Sequence, residues 1–176
     1  MELKNSNTRF GLISILLHWV MGLLIIALLC IGFYMTSMPD VAQQYDLYGW
    51  HKAFGILVLI LAIVRVAWHI CSERPALLIP AYERILARTT HGLLYTLMII
   101  MPLSGWFMSS AAGKPPSFFG LFTLPALVEK NKALSKLFSS VHEWVAYCLI
   151  ALIILHILGA LKHHFIDKND ILKRII

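Results

Sequence analysis

Four long apolar runs, near residues 12–35, 53–70, 92–112 and 144–161, dominate this chain of 176 residues. Each run has about the length, roughly 20 residues, that an α-helix needs to cross the hydrocarbon core of a bilayer. The chain is 59% hydrophobic and only 14% charged, so a water-soluble globule of this size could not bury all its apolar surface. The sequence therefore predicts an all-α integral membrane four-helix bundle, with residues 1–176 forming a single domain.

Positive charges are distributed unevenly between the two ends of the predicted helices. The side with both termini and the 71–90 connection holds ten Lys and Arg residues, and the other side holds five. Cytoplasmic flanks of membrane helices are enriched in these residues, so both termini are predicted to be cytoplasmic. This bias also explains the net charge of +6 without a nucleic-acid partner. The ten are Lys4, Arg9, Arg65, Arg74, Arg84, Arg88, Lys162, Lys168, Lys173 and Arg174, and the five are Lys52, Lys114, Lys130, Lys132 and Lys136.

Four of the eight histidines, in or beside the apolar runs, are predicted to form pairs at two depths. His18 and His156 share a level near the cytoplasmic boundary, whereas His51 and His142 share a level at the outer side. His142 and His156 are 14 residues apart. At about 100° and 1.5 Å per residue, both project from nearly one helix face, about 21 Å apart. Because strongly polar groups at membrane depth are usually functional, we predict two sites stacked along the membrane normal, His18 with His156 and His51 with His142.

The pairing of imidazoles favours haem over other metal groups. Zinc usually takes three or four ligands from short spacings, and copper commonly recruits Cys or Met. Two facing imidazoles instead suit the axial positions of a haem, and the sequence has no C-x-x-C-H motif for covalent attachment. Four positions after each predicted ligand, on the same helix face, a small residue leaves room for a flat macrocycle. These small residues are Gly22, Gly55, Ala146 and Ala160.

The other four histidines lack such a small neighbour and are predicted to lie at or outside the cytoplasmic boundary. They are His69, His91, His163 and His164. His69 competes with His18 for the inner site, because it lies 18 residues after His51 and therefore on the same helix face. Its interfacial depth and the following Glu73 favour His18.

Several cations could neutralise haem propionates, since buried carboxylates require a positive partner. Arg65, one turn from the cytoplasmic end of the second run, either meets a propionate or extends its head group to the membrane surface. The candidates are Arg9, Lys52, Arg65 and Arg88. A surface position explains each of them nearly as well.

The chain contains, in this order, His18-Trp19, W-H-K-x-x-G from Trp50 to Gly55, R-x-x-H-x-x-x-Y from Arg88 to Tyr95, and the His142/His156 pair. This order of motifs resembles the bacterial cytochrome b561 family, which is related to the cytochrome b subunits of hydrogenases and formate dehydrogenases. The resemblance covers essentially the whole chain. It implies a protein of the bacterial inner membrane with two non-covalent haem b groups, carried by His18 with His156 and by His51 with His142.

The resemblance also implies ubiquinone as a redox partner, and in similar members the proposed activity is superoxide oxidation at the periplasmic face. We therefore expect an oxidoreductase that passes electrons from a small anionic donor to ubiquinone. The positive charge of Lys52 and of a cluster on the outer side would attract such a donor. That cluster consists of Lys130, Lys132 and Lys136. Two alternatives stay open: a haem-bearing anchor subunit of a larger dehydrogenase or hydrogenase, and a non-redox transporter whose histidines relay protons.

Overall fold

A computed structural model describes residues 2–39, 42–73, 75–76 and 79–175. Its four long helices are α1 (Leu12–Ser37), α2 (Ala42–Cys71), α3 (Ala81–Ala111) and α4 (Lys132–Leu161). All four are long and apolar enough to cross a membrane. The structure is therefore all-α in its long elements and consistent with the predicted four-helix membrane bundle. Arg74, one of the ten cations assigned to the side of the termini, lies outside the described residues.

Three helices begin earlier than the apolar runs indicate. The α2, α3 and α4 helices start 11 or 12 residues before the predicted positions 53, 92 and 144. Hydropathy detects only the part of a helix that lipid can cover, whereas hydrogen bonding continues into the polar turns beyond it. At the start of α4, the Asn131 side chain accepts hydrogen bonds from the backbone N–H groups of Ala133 and Leu134 at 2.9 and 3.1 Å. Much of the predicted 71–90 connection is therefore the first part of α3.

The helices pack in chain order, α1 against α2, α2 against α3 and α3 against α4. Every helix contributes to an apolar cluster at the centre of the bundle. Its buried residues are Met21, Ile25, Val58, Ala62, Met98 and Leu149. Many large apolar side chains also face outward, including Leu23, which is 66% exposed. Such an apolar exterior is stable in lipid rather than in water, which agrees with the predicted membrane location.

Both termini and the α2–α3 connection meet at one end of the bundle, which we call the terminal side. Ala76 donates its N–H to the carbonyl of Asn7 at 3.2 Å, and its own carbonyl accepts from Arg174 at 2.7 Å. The Trp19 indole N–H donates to the carbonyl of Ile175 at 2.8 Å. The N-terminal segment and the C-terminal tail therefore lie on the same side, as four crossings require.

An ion-pair cluster joins the start of α3 to the end of α4, where the helix passes into a π-helical turn (Lys162–Ile166). The Lys162 ammonium lies 2.8 Å from a carboxylate oxygen of Glu83 and 2.8 Å from one of Asp167. Hydrogen bonds from Lys162 and then from His163 lower the pKa of Asp167. The stabilisation from this carboxylate is therefore present above its usual pKa and is lost as the pH falls through the lowered value.

The opposite end, which we call the hairpin side, carries a short antiparallel hairpin of β1 (Ser117–Phe118) and β2 (Phe122–Thr123). At its turn Phe119 adopts a φ of 51°. The Phe119 ring packs against Trp50 and Phe54 of α2, with centroid distances of 6.0 and 5.0 Å. The first half of the 113–139 segment therefore does not cross the bundle as a helix.

Candidate functional site

Two pairs of imidazole rings face each other in the bundle, at two levels separated by the apolar cluster. On the hairpin side, the ring centroids of His51 and His142 are 6.3 Å apart at an interplanar angle of 76°. On the terminal side, those of His18 and His156 are 6.0 Å apart at 56°. The structure thus brings together both predicted pairs. The hairpin-side pair joins α2 to α4, and the terminal-side pair joins α1 to α4. Among the described residues the backbones of these helices make few contacts with each other, so each pair of rings lies in a space between two helices.

The ring separations can be compared with the geometry of a haem iron between two axial imidazoles. Metal–nitrogen bonds of roughly 2 Å on opposite sides of an iron place two imidazole centroids roughly 6 Å apart. The centroid distances of 6.0 and 6.3 Å agree with this requirement. By separation alone, both histidine pairs fit a bis-histidine haem.

The hairpin-side pair also lines a cavity with room beside the rings. A Cβ atom placed on Gly55, in the wall of this cavity, would meet no atom within 4 Å. The Nδ1 atom of His51 is buried and has no hydrogen-bond partner in the described part of the chain. The free volume is only about 50 Å³, but Met98 and Met101 in the wall are flexible and can turn aside for a larger group. An orphaned polar atom beside open space fits a site that a prosthetic group completes.

Residues of α3 fix the orientation of the His142 ring. Its Nδ1 atom lies 3.0 Å from the carbonyl oxygen of Met101 and 2.9 Å from the hydroxyl oxygen of Ser104. Because a carbonyl only accepts, Nδ1 carries the hydrogen and Nε2 keeps its lone pair for a metal. A Cβ atom on Gly105 would lie 3.1 Å from Cε1 of the same ring, so this position must stay small. The sequence contains Ser104 and Gly105 but does not show that they face His142.

The terminal-side pair has a different environment. The Arg65 guanidinium donates to Nδ1 of His18 at 2.9 Å and lies 5.6 Å from the centroid of the Tyr95 ring. Its head group therefore turns towards α1 and α3. A neutral His18 that accepts at Nδ1 carries its hydrogen on Nε2, so Arg65 must release the ring before Nε2 can bind a metal. The space itself is open, since a Cβ atom on Gly22 would meet no atom within 4 Å.

His91 is a third imidazole at the terminal-side level. The apolar run that begins at residue 92 predicts a position at or outside the membrane boundary, and the structure places its ring beside His156, one of the predicted ligands. Its ring centroid lies 5.2 Å from that of His156, closer than the 6.0 Å to His18. The sequence feature that could have pointed to His91 is the R-x-x-H-x-x-x-Y motif from Arg88 to Tyr95, which contains it. The other competitor, His69, packs against Tyr95 with a centroid distance of 5.2 Å.

Comparison with known proteins decides the family. The sequence profile described as prokaryotic cytochrome b561 matches residues 9–176. The chain belongs to the prokaryotic cytochrome b561 family. This b561 protein is therefore a haem-containing membrane cytochrome b, and the resemblance inferred from its motifs is confirmed.

Named relatives of this b561 protein align with it over nearly their full lengths. Cytochrome b561 homolog 2 of Escherichia coli strain K12 is 36% identical, and the alignment covers 100% of this chain and 95% of the relative. Cytochrome b561 homolog 1 of the same strain is 30% identical, with 96% and 97% covered. The probable superoxide oxidase CybB of Yersinia pestis is 25% identical, with 97% of each chain covered.

Proposed function

We propose that this cytochrome binds two haem b groups, one at each histidine level, and works as an oxidoreductase that carries single electrons across the membrane. The observation that supports this proposal is the pair of ring separations, 6.0 and 6.3 Å, with one member of each pair on α4. Haem b held by two histidines supplies reversible one-electron exchange and leaves no open iron position for oxygen.

Within this proposal the side chains of the bundle have distinct tasks. His51 and His142 would hold the hairpin-side haem, and His18 and His156 the terminal-side haem. The carbonyl of Met101 keeps Nε2 of His142 available, as its 3.0 Å contact with Nδ1 implies. The apolar cluster between the two levels excludes water from the centre of the bundle.

Two cations are placed to neutralise haem propionates, one near each level. Arg65 is within hydrogen-bond distance of His18 at the terminal side. Lys52 follows His51 and donates to the carbonyl of Lys114 at 3.1 Å, so its ammonium is held at the hairpin side. Both contacts use only neutral protein acceptors, which leaves the positive charges available for carboxylates.

We further propose that the terminal side is cytoplasmic, because it carries nine of the 14 Lys and Arg residues that the structure describes. The donor is then a small periplasmic anion such as superoxide, and the acceptor is ubiquinone. Two superoxide anions lose one electron each and leave as oxygen, and one ubiquinone takes up the two electrons and two protons to form ubiquinol. The similarity to a probable superoxide oxidase supports this choice of donor.

The direct test uses purified protein loaded with haem, a superoxide-generating system and a soluble ubiquinone analogue. Superoxide-dependent formation of the quinol by the isolated chain is expected. The same assay addresses the alternative of an anchor subunit, which would require a partner for quinone reduction. A haem-loaded chain that reduces no quinone would contradict the proposed oxidoreductase. The non-redox transporter is not supported, because the family is one of haem-containing cytochromes.

The rate of the donor reaction should depend on positive charge at the hairpin side. We expect Lys52→Gln combined with Gln at Lys130, Lys132 and Lys136 to lower the second-order rate with superoxide severalfold and to flatten its salt dependence, because clustered cations raise the local anion concentration. Stopped-flow reduction of the haems at several ionic strengths measures this. Lys168→Gln, on the terminal side, is the matched control. Unchanged kinetics in the fourfold variant would remove the steering role.

Space beside Gly55 should be needed for haem and not for folding. We expect Gly55→Leu to lower the haem-to-protein ratio from about two towards one. No atom lies within 4 Å of a Cβ at this position, so the helix should accept the side chain, which then fills the space beside His51. Gly49→Leu is the control, since its Cβ also meets no atom within 4 Å and it does not line the cavity. Full haem content in Gly55→Leu with unchanged circular dichroism would contradict the placement.

A further inference from the structure

A basic pocket on the terminal side has no part in the proposed electron transfer. Thr8 and Arg9 of the N-terminal segment line one wall, and Asp170, Lys173 and Arg174 of the C-terminal tail line the other. Its volume is about 420 Å³. At about 30 Å³ per water molecule, this is room for roughly a dozen groups of that size. The pocket can therefore accept a group much larger than a single ion.

The charges in the pocket are not balanced. Lys173 pairs with Asp170 at 2.8 Å, which uses the one carboxylate among the described residues of the lining. Arg174 donates to the carbonyl of Ala76 at 2.7 Å, a contact that holds its guanidinium in place without neutralising it. In the part of the chain that the structure describes, no ion pair is formed by Arg9 or Arg174. Two guanidinium charges thus remain for an anionic ligand.

The pocket lies beside the start of α1, at the end of a helix long and apolar enough to cross a membrane. Trp19 is seven residues after the start of α1, which corresponds to roughly 10 Å along the helix. Its indole N–H bonds to the carbonyl of Ile175 at 2.8 Å, so the tail folds back along α1 and does not extend into solution. An indole with its polar edge bonded and its ring 45% exposed is typical of the membrane interface. Lys173 and Arg174 immediately precede this anchored residue.

We propose that this pocket binds the phosphodiester head group of an anionic membrane lipid, with Arg9 and Arg174 as the phosphate-binding residues. A guanidinium presents a fork of donors that matches two phosphate oxygens, and the Thr8 hydroxyl is a further donor in the same wall. The bound lipid connects the N-terminal segment to the C-terminal tail. It therefore stabilises the terminal end of the bundle independently of haem.

The test is native mass spectrometry of the full-length, haem-loaded protein in detergent, titrated with phosphatidylglycerol, phosphatidylcholine or inorganic phosphate. We expect saturable binding of one phosphatidylglycerol and no comparable binding of phosphatidylcholine. Inorganic phosphate at the same concentration should not displace the lipid. Arg9→Gln should weaken phosphatidylglycerol binding severalfold, because it removes a charge-assisted hydrogen bond to the phosphate. Arg9 is the first choice because its side chain makes no described hydrogen bond, so folding should not depend on it.

Lys168→Gln is the matched control, because it removes a terminal-side cation that does not line the pocket. It should leave phosphatidylglycerol binding unchanged, and equal weakening in both variants would show diffuse attraction and overturn the proposal. Equal binding of phosphatidylcholine would also overturn it, as would displacement by inorganic phosphate. A second readout is the thermal midpoint. Phosphatidylglycerol should raise it in the wild-type protein and much less in Arg9→Gln, and equal increases would contradict the site.

Discussion

His142→Ala is expected to lower the haem content of the purified protein from about two groups per chain to about one. The His142 ring faces His51 at a centroid distance of 6.3 Å, and α3 holds its Nδ1 atom at 3.0 Å from the Met101 carbonyl. Without this imidazole, the hairpin-side haem would keep only one axial ligand in an otherwise apolar cavity. His156→Ala should have the same effect at the other level. The haem-to-protein ratio and the reduced-minus-oxidised visible spectrum of each variant measure the loss.

A control variant at another histidine distinguishes the loss of a haem ligand from the loss of the fold. His164→Ala removes an imidazole beyond the end of α4, where the ring packs against Phe165 at a centroid distance of 4.8 Å. This variant should keep both haems. The combination of His142→Ala and His156→Ala should yield a colourless protein whose circular dichroism still shows a helical bundle. Two haems retained in either single variant would exclude the α4 histidines as ligands.

The partner of His156 should be revealed by a second pair of variants. We expect His18→Ala to lose the terminal-side haem, and His91→Ala to retain both. The His18 ring lies 6.0 Å from that of His156, the separation that an intervening iron requires, whereas the His91 ring lies at 5.2 Å. The open space beside Gly22, one turn after His18, favours the same choice.

Haem content and the redox midpoint of the remaining groups distinguish the possible outcomes. His91→Ala should shift the terminal-side midpoint without lowering haem content, because a polar ring next to His156 is removed and no axial ligand is lost. His69→Ala should keep both haems as well. The opposite pattern, with haem lost in His91→Ala and kept in His18→Ala, would assign His91 as the ligand.

The histidine pairs could be anticipated because helix geometry alone relates them. A spacing of 14 residues places His142 and His156 on one face, whatever surrounds the helix. The apolar runs place His18 level with His156 and His51 level with His142, and the structure brings the ring centroids of these pairs to 6.0 and 6.3 Å. Four crossings also require both termini to lie on one side, as the contacts of Ala76 show.

Other parts of the site depend on tertiary packing and could not be read from the chain. The contact of His91 with His156 depends on how α3 packs against α4, which the apolar run that begins at residue 92 does not specify. The turn of Arg65 towards His18 depends on how α1 packs against α2, and periodicity does not specify that contact. The hydrogen bond that orients His142 is accepted by a backbone carbonyl of α3. Every residue has such a carbonyl, so no sequence pattern identifies the one that is used.

The apolar cluster between the two histidine levels has an electrical consequence. Its six buried residues, Met21, Ile25, Val58, Ala62, Met98 and Leu149, include no side chain that can accept or release a proton. Under the proposed function, an electron that moves between the levels would therefore not be accompanied by a proton carried on these six side chains. The levels are about 21 Å apart in a hydrocarbon core of about 30 Å, and a full crossing of one charge involves about 2.3 kcal/mol per 100 mV. Under the proposed function, the membrane voltage should shift the electron equilibrium between the two levels.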